Sequence, residues 1–247
     1  MLNIKIMEYQ FIFISGTVGV GKSTIIDKLM DEYENKPCLI KEYIDFDYEG
    51  AEKLDKLLLG VTSAFEFQKY VVDCAFSQFI GWMNNPNKPS NIVIWERHPM
   101  ESLIFAAQRL TIYQMERLYN YIFNLCQSLG VPLPSECHFV EIKNGKNAVY
   151  NQSRTEKICK SIMNSKTQNP NMIVHLSVDD KQQTKNLLSR GRPSDKGYLM
   201  EKGMEYLRKI NLTYSLMPTI NYDIRPETFY QLFRYDYVRP EPLETNY

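Results

Sequence analysis

The chain has 247 residues, 44% of them hydrophobic and 23% charged, and its 29 basic residues balance its 29 acidic ones. This composition is typical of a globular protein, and the length suits one large α/β domain or two small ones. A chain of zero net charge offers no broad basic field to a nucleic-acid backbone, which disfavours a polynucleotide partner.

The spacing of apolar residues predicts strands and helices that alternate along the chain. In order, we predict strand 11–15, helix 22–34, strand 38–40, helices 50–60 and 65–83, strand 91–95, helices 99–109 and 113–129, strand 172–176, helices 179–188 and 197–216, and strand 219–224. Such alternation is typical of a parallel sheet with helices on both faces. We therefore expect one α/β domain over 1–247.

The segment 131–170 departs from this pattern. Two short apolar runs, 138–142 and 148–150, flank the pair Asn144-Gly145, which favours a tight turn between antiparallel strands. We predict a β-hairpin near 136–151, then a helix over 153–165, and interpret 131–170 as an insertion. The tail, 225–247, shows no clear period.

The cysteines and the N-terminal sequence favour a cytoplasmic protein. The five cysteines are scattered without a C-x-x-C pair, which indicates reduced thiols and disfavours a zinc site. The first ten residues lack the apolar stretch of a signal peptide, and no apolar run reaches the roughly 18 residues that a membrane span needs. We expect a soluble protein of the cytoplasm, that of an infected host cell if the source is viral, with no membrane partner.

The strongest motif, GTVGVGKS at 16–23, fits G-x-x-x-x-G-K-[ST] and lies between a predicted strand and a predicted helix. Its glycines allow backbone N–H groups to surround phosphate oxygens at the positive end of the helix. We expect Lys22 to bridge the β- and γ-phosphates of ATP and Ser23 to bind Mg²⁺. The predicted ATP-binding residues are Gly16, Thr17, Val18, Gly19, Val20, Gly21, Lys22, Ser23 and Thr24.

Acidic and basic residues follow the next two predicted strands. Glu42 lies at the carboxyl end of the second strand, where ligands bind in such sheets, and its carboxylate can accept a proton from a hydroxyl nucleophile. After the third strand, Glu96 is a candidate ligand of Mg²⁺, and Arg97 is a candidate partner of the acceptor oxygen and its developing charge. A surface acid at 42 and a strand-end ion pair at 96–97 are the simpler alternatives.

The helix predicted over 65–83 carries a candidate base-binding residue. Gln68 lies among apolar neighbours, and its amide has the donor and the acceptor that match the edge of a nucleobase. The ring of Phe65 is a candidate for stacking on the base, and Val71 lies one turn beyond the amide. A glutamine on the helix surface is the alternative.

A basic turn near the C-terminal end is a candidate lid over about 186–196. Arg190 and Arg192 are placed to close over the transferred phosphoryl group and exclude water. Asp195, at the end of the turn, is a candidate acceptor for a sugar hydroxyl. A solvated basic loop is the alternative.

The order of these segments resembles the deoxyribonucleoside kinase family, and most of all its herpesvirus-type thymidine kinases. The sequences ERHP at 96–99 and RGRP at 190–193 are similar to DRHP and RQRP of that type, and the likeness covers about 11–110 and 171–225. It implies a P-loop kinase fold with a five-stranded parallel sheet and an arginine-bearing lid, and a homodimer built from helices. It also implies ATP with Mg²⁺ as donor and the 5′-hydroxyl of a deoxynucleoside as acceptor.

The resemblance further implies the role of each residue. Glu42 would take the proton of the 5′-hydroxyl, Arg97 would contact the 5′-oxygen, and Gln68 would read a pyrimidine. Arg190 and Arg192 would clamp phosphates, and Asp195, where the family usually has Glu, would bind the 3′-hydroxyl.

Other positions depart from the family. Asn186 stands in place of a further lid arginine, and 55–59 lacks the family's sugar-binding tyrosine. Cytidine-preferring members of the family have an arginine near the position of Ala75. An alanine cannot replace that arginine, which favours thymidine over deoxycytidine.

Three other functions share some of these motifs. A thymidylate-type nucleoside monophosphate kinase needs a further cation for the phosphate of its acceptor. A non-catalytic nucleotide-binding protein has no need of Glu42, Glu96 and Arg97 together, and a nucleic-acid-stimulated ATPase is disfavoured by the neutral charge. We therefore expect a transferase of nucleotide salvage for DNA synthesis, which phosphorylates the 5′-hydroxyl of a deoxynucleoside, with thymidine favoured.

Overall fold

The computed structural model describes residues 9–144, 152–166, 169–191, 195–217 and 222–233. Within these ranges the strands of one sheet are β1 (Gln10–Ser15), β2 (Cys38–Ile40), β3 (Ile92–Glu96), β4 (His138–Asn144) and β5 (Met172–Val178). The strand order is β2-β3-β1-β5-β4, and all neighbouring strands are parallel. Parallel neighbours bring the carboxyl ends of β1, β2 and β3 to one edge of the sheet.

Helices connect the strands and cover the sheet. They are α1 (Lys22–Glu32), α2 (Tyr43–Phe46), α3 (Gly50–Leu58), α4 (Ala64–Met83), α5 (Ser102–Ala106), α6 (Ile112–Leu129), α7 (Gln152–Lys166), α8 (Asp180–Arg190), α9 (Lys196–Leu199), α10 (Glu201–Leu216) and α11 (Pro226–Phe233). Among the described residues, no helix has both the length and the hydrophobicity needed to cross a membrane.

The central strand β1 is buried on both faces because its alternate side chains join two cores. Phe11 and Phe13 belong to the core that includes α4, α6 and α10, where Trp95 and Phe79 pack near them. Ile12 and Ile14 belong to the second core, with residues of α1 and α7. The expected parallel sheet, covered on both faces, is confirmed.

The predicted β-hairpin is wrong. Residues 138–144 form β4, which runs parallel to β5 with His138 opposite Met172 and Asn144 opposite Val178. The second predicted arm, 148–150, lies outside the described residues. β4 is an edge strand in which Phe139 and Val140 are half-buried while His138 is exposed. The hairpin was predicted because the pair Asn144-Gly145 at its end favours a tight turn, whereas β4 pairs with the distant strand β5.

Within 131–170, the described residues 138–144 are a strand of the main sheet, and 152–166 are a helix packed against it, which differs from the expected insertion. Helix α7 contacts α1, and its residues Ile158, Cys159 and Ile162 are buried in the second core. β4, α7 and β5 form a strand–helix–strand unit with parallel neighbouring strands.

The C-terminal region also differs from the prediction. Residues 222–224 are not a strand, and 219–221 lie outside the described residues. Among the described residues, β4 is the strand that brings the sheet to five. The unpredicted helix α11 buries Phe229 against the first core, and Ile224 precedes it there. A helix of 8 residues is too short to show a clear apolar period.

Candidate active site

The loop 16–21 turns sharply between β1 and α1. Gly16, Gly19 and Gly21 have φ angles of 126°, 81° and 98°, which favour glycine. A Cβ atom on Gly16 would lie 2.4 Å from the carbonyl oxygen of Leu176 in β5, so a side chain does not fit there. The predicted strand–loop–helix context is confirmed, and the loop precedes the N-terminus of α1, a favourable position for phosphate.

Helix α8 braces this loop. The buried Gln183 donates from Nε2 to the Thr17 hydroxyl at 2.6 Å and to the Val18 carbonyl at 2.7 Å. Asn186 donates from Nδ2 to the Gly19 carbonyl at 2.7 Å. Asn186 stands where the family has a lid arginine. It therefore binds the phosphate loop itself, through the backbone carbonyl of Gly19.

Lys22 links the loop to two carboxylates. Its Nζ donates to the Thr17 carbonyl at 3.1 Å, and it lies 3.4 Å from Oε1 of Glu42 and 3.8 Å from Oε1 of Glu96. Burial lowers the pKa of Lys22, and the charge of Arg97 adds to this, while Glu42 and Glu96 oppose it. The ends of β2 and β3 thus meet the loop, as the sequence predicted.

Arg97 lies between the loop and Glu42. Its φ of 69° is a left-handed conformation that costs a non-glycine residue about 1–3 kcal/mol. Nε donates to Oε1 of Glu42, Nη1 donates to the Gly16 carbonyl, and the guanidinium lies 4.6 Å from the ring centroid of Phe105. These contacts hold one positive charge beside both the phosphate loop and the expected base.

The two carboxylates have opposite pKa shifts. Burial favours a higher pKa for Glu42, but Arg97 and Lys22 outweigh it and lower the pKa to about 2. Burial raises the pKa of Glu96 to about 7, and the negative charge of Glu42 adds to this. Glu42 is therefore ionised at neutral pH, ready to accept a hydrogen bond from a hydroxyl group.

A cleft of about 860 Å³, measured out to its open mouth, lies beside these groups. Its walls include apolar residues of α3 and α4, namely Leu54, Leu57, Leu58, Phe67, Val71, Val72 and Ala75. Glu42, Glu96 and Arg97 line it together with Gln68, which is 6% exposed. An apolar cleft of this size with a few polar groups suits a small ligand such as a nucleoside.

Phe65 is not among the described residues that line the cleft. The Arg117 guanidinium of α6 lies 4.9 Å from its ring centroid, so the ring contacts α6. Phe67 lines the cleft instead, where its ring meets Tyr43 edge to face at 5.3 Å. Both phenylalanines lie in the first turn of α4, and sequence spacing alone did not determine which ring faces the cleft.

In the described part of the predicted lid, Arg190 and Asp195 form an ion pair. Arg190 donates from Nε and Nη2 to the two carboxylate oxygens of Asp195, at 2.8 and 2.6 Å, and Asp195 is buried. The expected contacts of Arg190 with phosphate and of Asp195 with a sugar are therefore not preformed. Arg192 lies outside the described residues.

The cleft-lining residues that were not predicted from the sequence include Tyr43, Phe105, Arg109, Tyr198 and Tyr206. Tyr43 directly follows Glu42, which was a local signal of its position. Tyr198 and Tyr206 come from α9 and α10, and tertiary structure alone brings them to the cleft. Within the part of the chain that the structure describes, the phenol oxygens of Tyr43 and Tyr198 show no hydrogen bond.

A phosphate loop, a carboxylate–arginine pair at neighbouring strand ends and a cleft of nucleoside size define a P-loop phosphotransferase. The family model described as deoxynucleoside kinase matches residues 12–129. This segment carries the loop, Glu42, Gln68 and Arg97, and its match confirms the predicted enzyme class, a deoxynucleoside kinase. The likeness to the herpesvirus type stays a prediction.

A search of solved structures finds similarity to deoxyadenosine kinase from M. mycoides with bound dATP. It is 20% identical, with 91% of this chain and 97% of that chain covered and a TM-score of 0.48. The M. mycoides enzyme with bound dCTP is 21% identical, with 92% and 86% covered and a TM-score of 0.44. No curated protein matches the sequence.

Proposed function

We propose that this protein transfers the γ-phosphate of ATP to the 5′-hydroxyl of a deoxynucleoside, with thymidine as the favoured acceptor. The observation that carries the proposal is the meeting of Lys22, Glu42 and Arg97 between the phosphate loop and the apolar cleft. A triphosphate in the loop would face a hydroxyl group held at Glu42, which is the geometry that direct phosphoryl transfer needs.

In this mechanism Glu42 mainly orients the nucleophile. A carboxylate with a pKa of about 2 is a weak base for a free hydroxyl group. The transition state of phosphoryl transfer is loose, however, so positioning and charge stabilisation matter more than early proton removal. Glu42 would accept the hydrogen bond and take the proton late, while Lys22 and Arg97 would stabilise negative charge on the phosphoryl oxygens.

The residues near the loop fit Mg²⁺. This ion is usually held by one or two protein oxygens together with waters and substrate phosphates. Ser23, in the first turn of α1, and Glu96, at the end of β3, are the residues that would hold it. When bound, Mg²⁺ would neutralise phosphate charge.

The part of the cleft around Gln68 favours a pyrimidine as the base of the acceptor. The Gln68 amide lines the cleft and makes no hydrogen bond to another described residue, so both its donor and its acceptor are available to a base edge. Val71 and Ala75 lie one and two turns beyond it and also line the cleft. These small apolar side chains leave space for the methyl group of thymine.

The test is the rate of product formation from ATP and Mg²⁺ with each of the four deoxynucleosides. We expect the highest kcat/KM for thymidine. The variant Gln68→Ala should raise the KM for thymidine, while Gln127→Ala, an exposed glutamine on α6, should leave it unchanged. Preference for a purine would refute the proposed specificity, and failure to phosphorylate any of the four would refute the proposed function.

One observation favours a second acceptor, thymidine monophosphate. Arg109 lines the cleft and forms no ion pair with another described residue; its guanidinium lies 5.2 Å from the Tyr206 ring centroid. It is thus an available cation of the kind that a monophosphate acceptor requires. Phosphorylation of the monophosphate, lost in Arg109→Gln while thymidine is still phosphorylated, would establish this second reaction.

A further inference from the structure

A chain of buried hydrogen bonds leads from Arg97 into the protein. Nη1 of Arg97 donates to the Tyr214 hydroxyl at 3.4 Å, and this hydroxyl donates to Oε2 of Glu101. Tyr214 and Glu101 are each 3% exposed, and they are not among the described residues that line the cleft. A substrate in the cleft would therefore leave the hydrogen bonds of Tyr214 with Arg97 and Glu101 intact.

Glu101 is fixed by its other contacts. Its Oε1 accepts the backbone N–H of His98 at 3.0 Å, at the start of the short helical turn 99–101. The carboxylate is thus tied to the residue that directly follows Arg97. Breaking such a buried hydrogen bond leaves a polar atom unsatisfied, which makes alternative positions of Glu101 unfavourable.

Tyr214 is held by stacking. The His175 ring lies 4.8 Å from its ring centroid at an interplanar angle of 26°, and Nδ1 of this histidine lies 3.4 Å from the Ser15 hydroxyl. Phe105 packs at the edge of the same phenol ring at 6.4 Å. Side chains from β1, β5 and α5 thus locate the tyrosine of α10.

The position of Arg97 requires such support. Its other polar partners, Glu42 and the Gly16 carbonyl, lie where the acceptor hydroxyl and the phosphates would bind. Substrate binding would change those two contacts, while the contact with Tyr214 would persist. A guanidinium that moves by about 1 Å can cost a hundredfold in rate.

We propose that Tyr214, held by Glu101, is a positioning residue that fixes the Arg97 guanidinium for phosphoryl transfer. The proposal rests on the proposed function, because it takes Arg97 to act on the acceptor oxygen. Tyr214 belongs to α10, outside the segment 12–129 that matches the family model. The C-terminal part of the chain would then contribute to the rate as well as to the fold.

The main test is Tyr214→Phe, which removes one oxygen atom. We expect kcat to fall about ten- to a hundredfold with both KM values nearly unchanged, because the contact acts on the placement of a charge in the transition state. The matched control is Tyr121→Phe, which removes the same kind of phenol–carboxylate bond, that with Asp73, from a site between α6 and α4. This control should keep kcat. Glu101→Gln should give a smaller loss, and the double variant Glu101→Gln/Tyr214→Phe should be no slower than Tyr214→Phe alone.

A second readout separates positioning from stability and from activity. In the wild-type protein, the Arg97 Nε–H signal in NMR spectra should exchange slowly with solvent, and in Tyr214→Phe it should exchange faster while thermal unfolding shows a folded protein. Unchanged kcat in folded Tyr214→Phe, or unchanged Nε–H exchange, would overturn the proposal. If wild-type protein phosphorylates no deoxynucleoside, the proposed function fails, and the exchange measurement still decides whether Tyr214 holds Arg97.

Discussion

Replacement of Glu42 by glutamine should slow phosphoryl transfer far more than it weakens substrate binding. The amide side chain would keep the shape and one oxygen but would lose the charge that faces Arg97 and, at 3.4 Å, Lys22. A side chain that orients the nucleophile and takes its proton late typically contributes about 10²–10⁴-fold in rate, so the barrier should rise by about 3–5 kcal/mol. The lost attraction between Lys22 and position 42, about 5 kcal/mol at an effective dielectric constant of about 20, leaves two cations without their shared partner.

The assay is steady-state formation of the deoxynucleoside monophosphate, with kcat and KM measured separately. A fall in kcat with little change in KM indicates an interaction made mainly in the transition state. Glu52→Gln is the matched control, because Glu52 is exposed on α3 and pairs only with Lys56 of the same helix among the described residues. A Glu42→Gln enzyme that keeps full kcat would refute the assignment of Glu42 as the base.

Three further predictions concern Lys22, Gly16 and His175. Lys22→Ala should lose about 2–4 kcal/mol of transition-state stabilisation, measured as the fall in kcat/KM with the best acceptor. A fall in kcat/KM of less than tenfold would contradict the role of Lys22. Gly16→Ala should lower the unfolding temperature and abolish ATP binding, since its Cβ would lie 2.4 Å from the Leu176 carbonyl, whereas Gly81→Ala, with open space around it on α4, should be neutral or stabilising. Burial lowers the pKa of His175 to about 4, and Arg97 adds to this, so a neutral histidine stabilises the fold above pH 6.5. This contribution, at most about 3 kcal/mol, should be lost between pH 6.5 and 4, which urea unfolding of wild-type protein and His175→Phe would show.

The donor side of the site was predictable because its signals are local. The phosphate loop needs glycines at fixed positions between a strand and a helix, and all three requirements are visible within a few residues of Lys22. Glu42, Glu96 and Arg97 were also found, since parallel strands bring their carboxyl ends to one edge of the sheet. Adjacent strand ends therefore converted sequence order into spatial proximity.

The rest depends on contacts between distant segments. The place of β4 at the sheet edge follows from its pairing with β5, and the short sequence 138–144 is equally compatible with a hairpin arm. The choice of Phe67 over Phe65 depends on how α4 is rotated against α6, where Arg117 covers one ring. Tyr198, on α9, had no local signal at all, because it reaches the cleft only through the packing of the C-terminal helices.

Helix α10 joins the two sides of the site. Asn211 donates from Nδ2 to Oε1 of Gln183 at 2.9 Å, and Gln183 in turn holds the phosphate loop. Three residues further on, Tyr214 contacts Arg97, which lines the cleft. Residues spaced by three lie on the same face of a helix, so one face of α10 contacts Gln183 and Arg97, the residues that would support the two proposed substrates. In-line transfer depends on the distance between donor and acceptor, and a single rigid helix that touches both supports is a direct way to fix that distance.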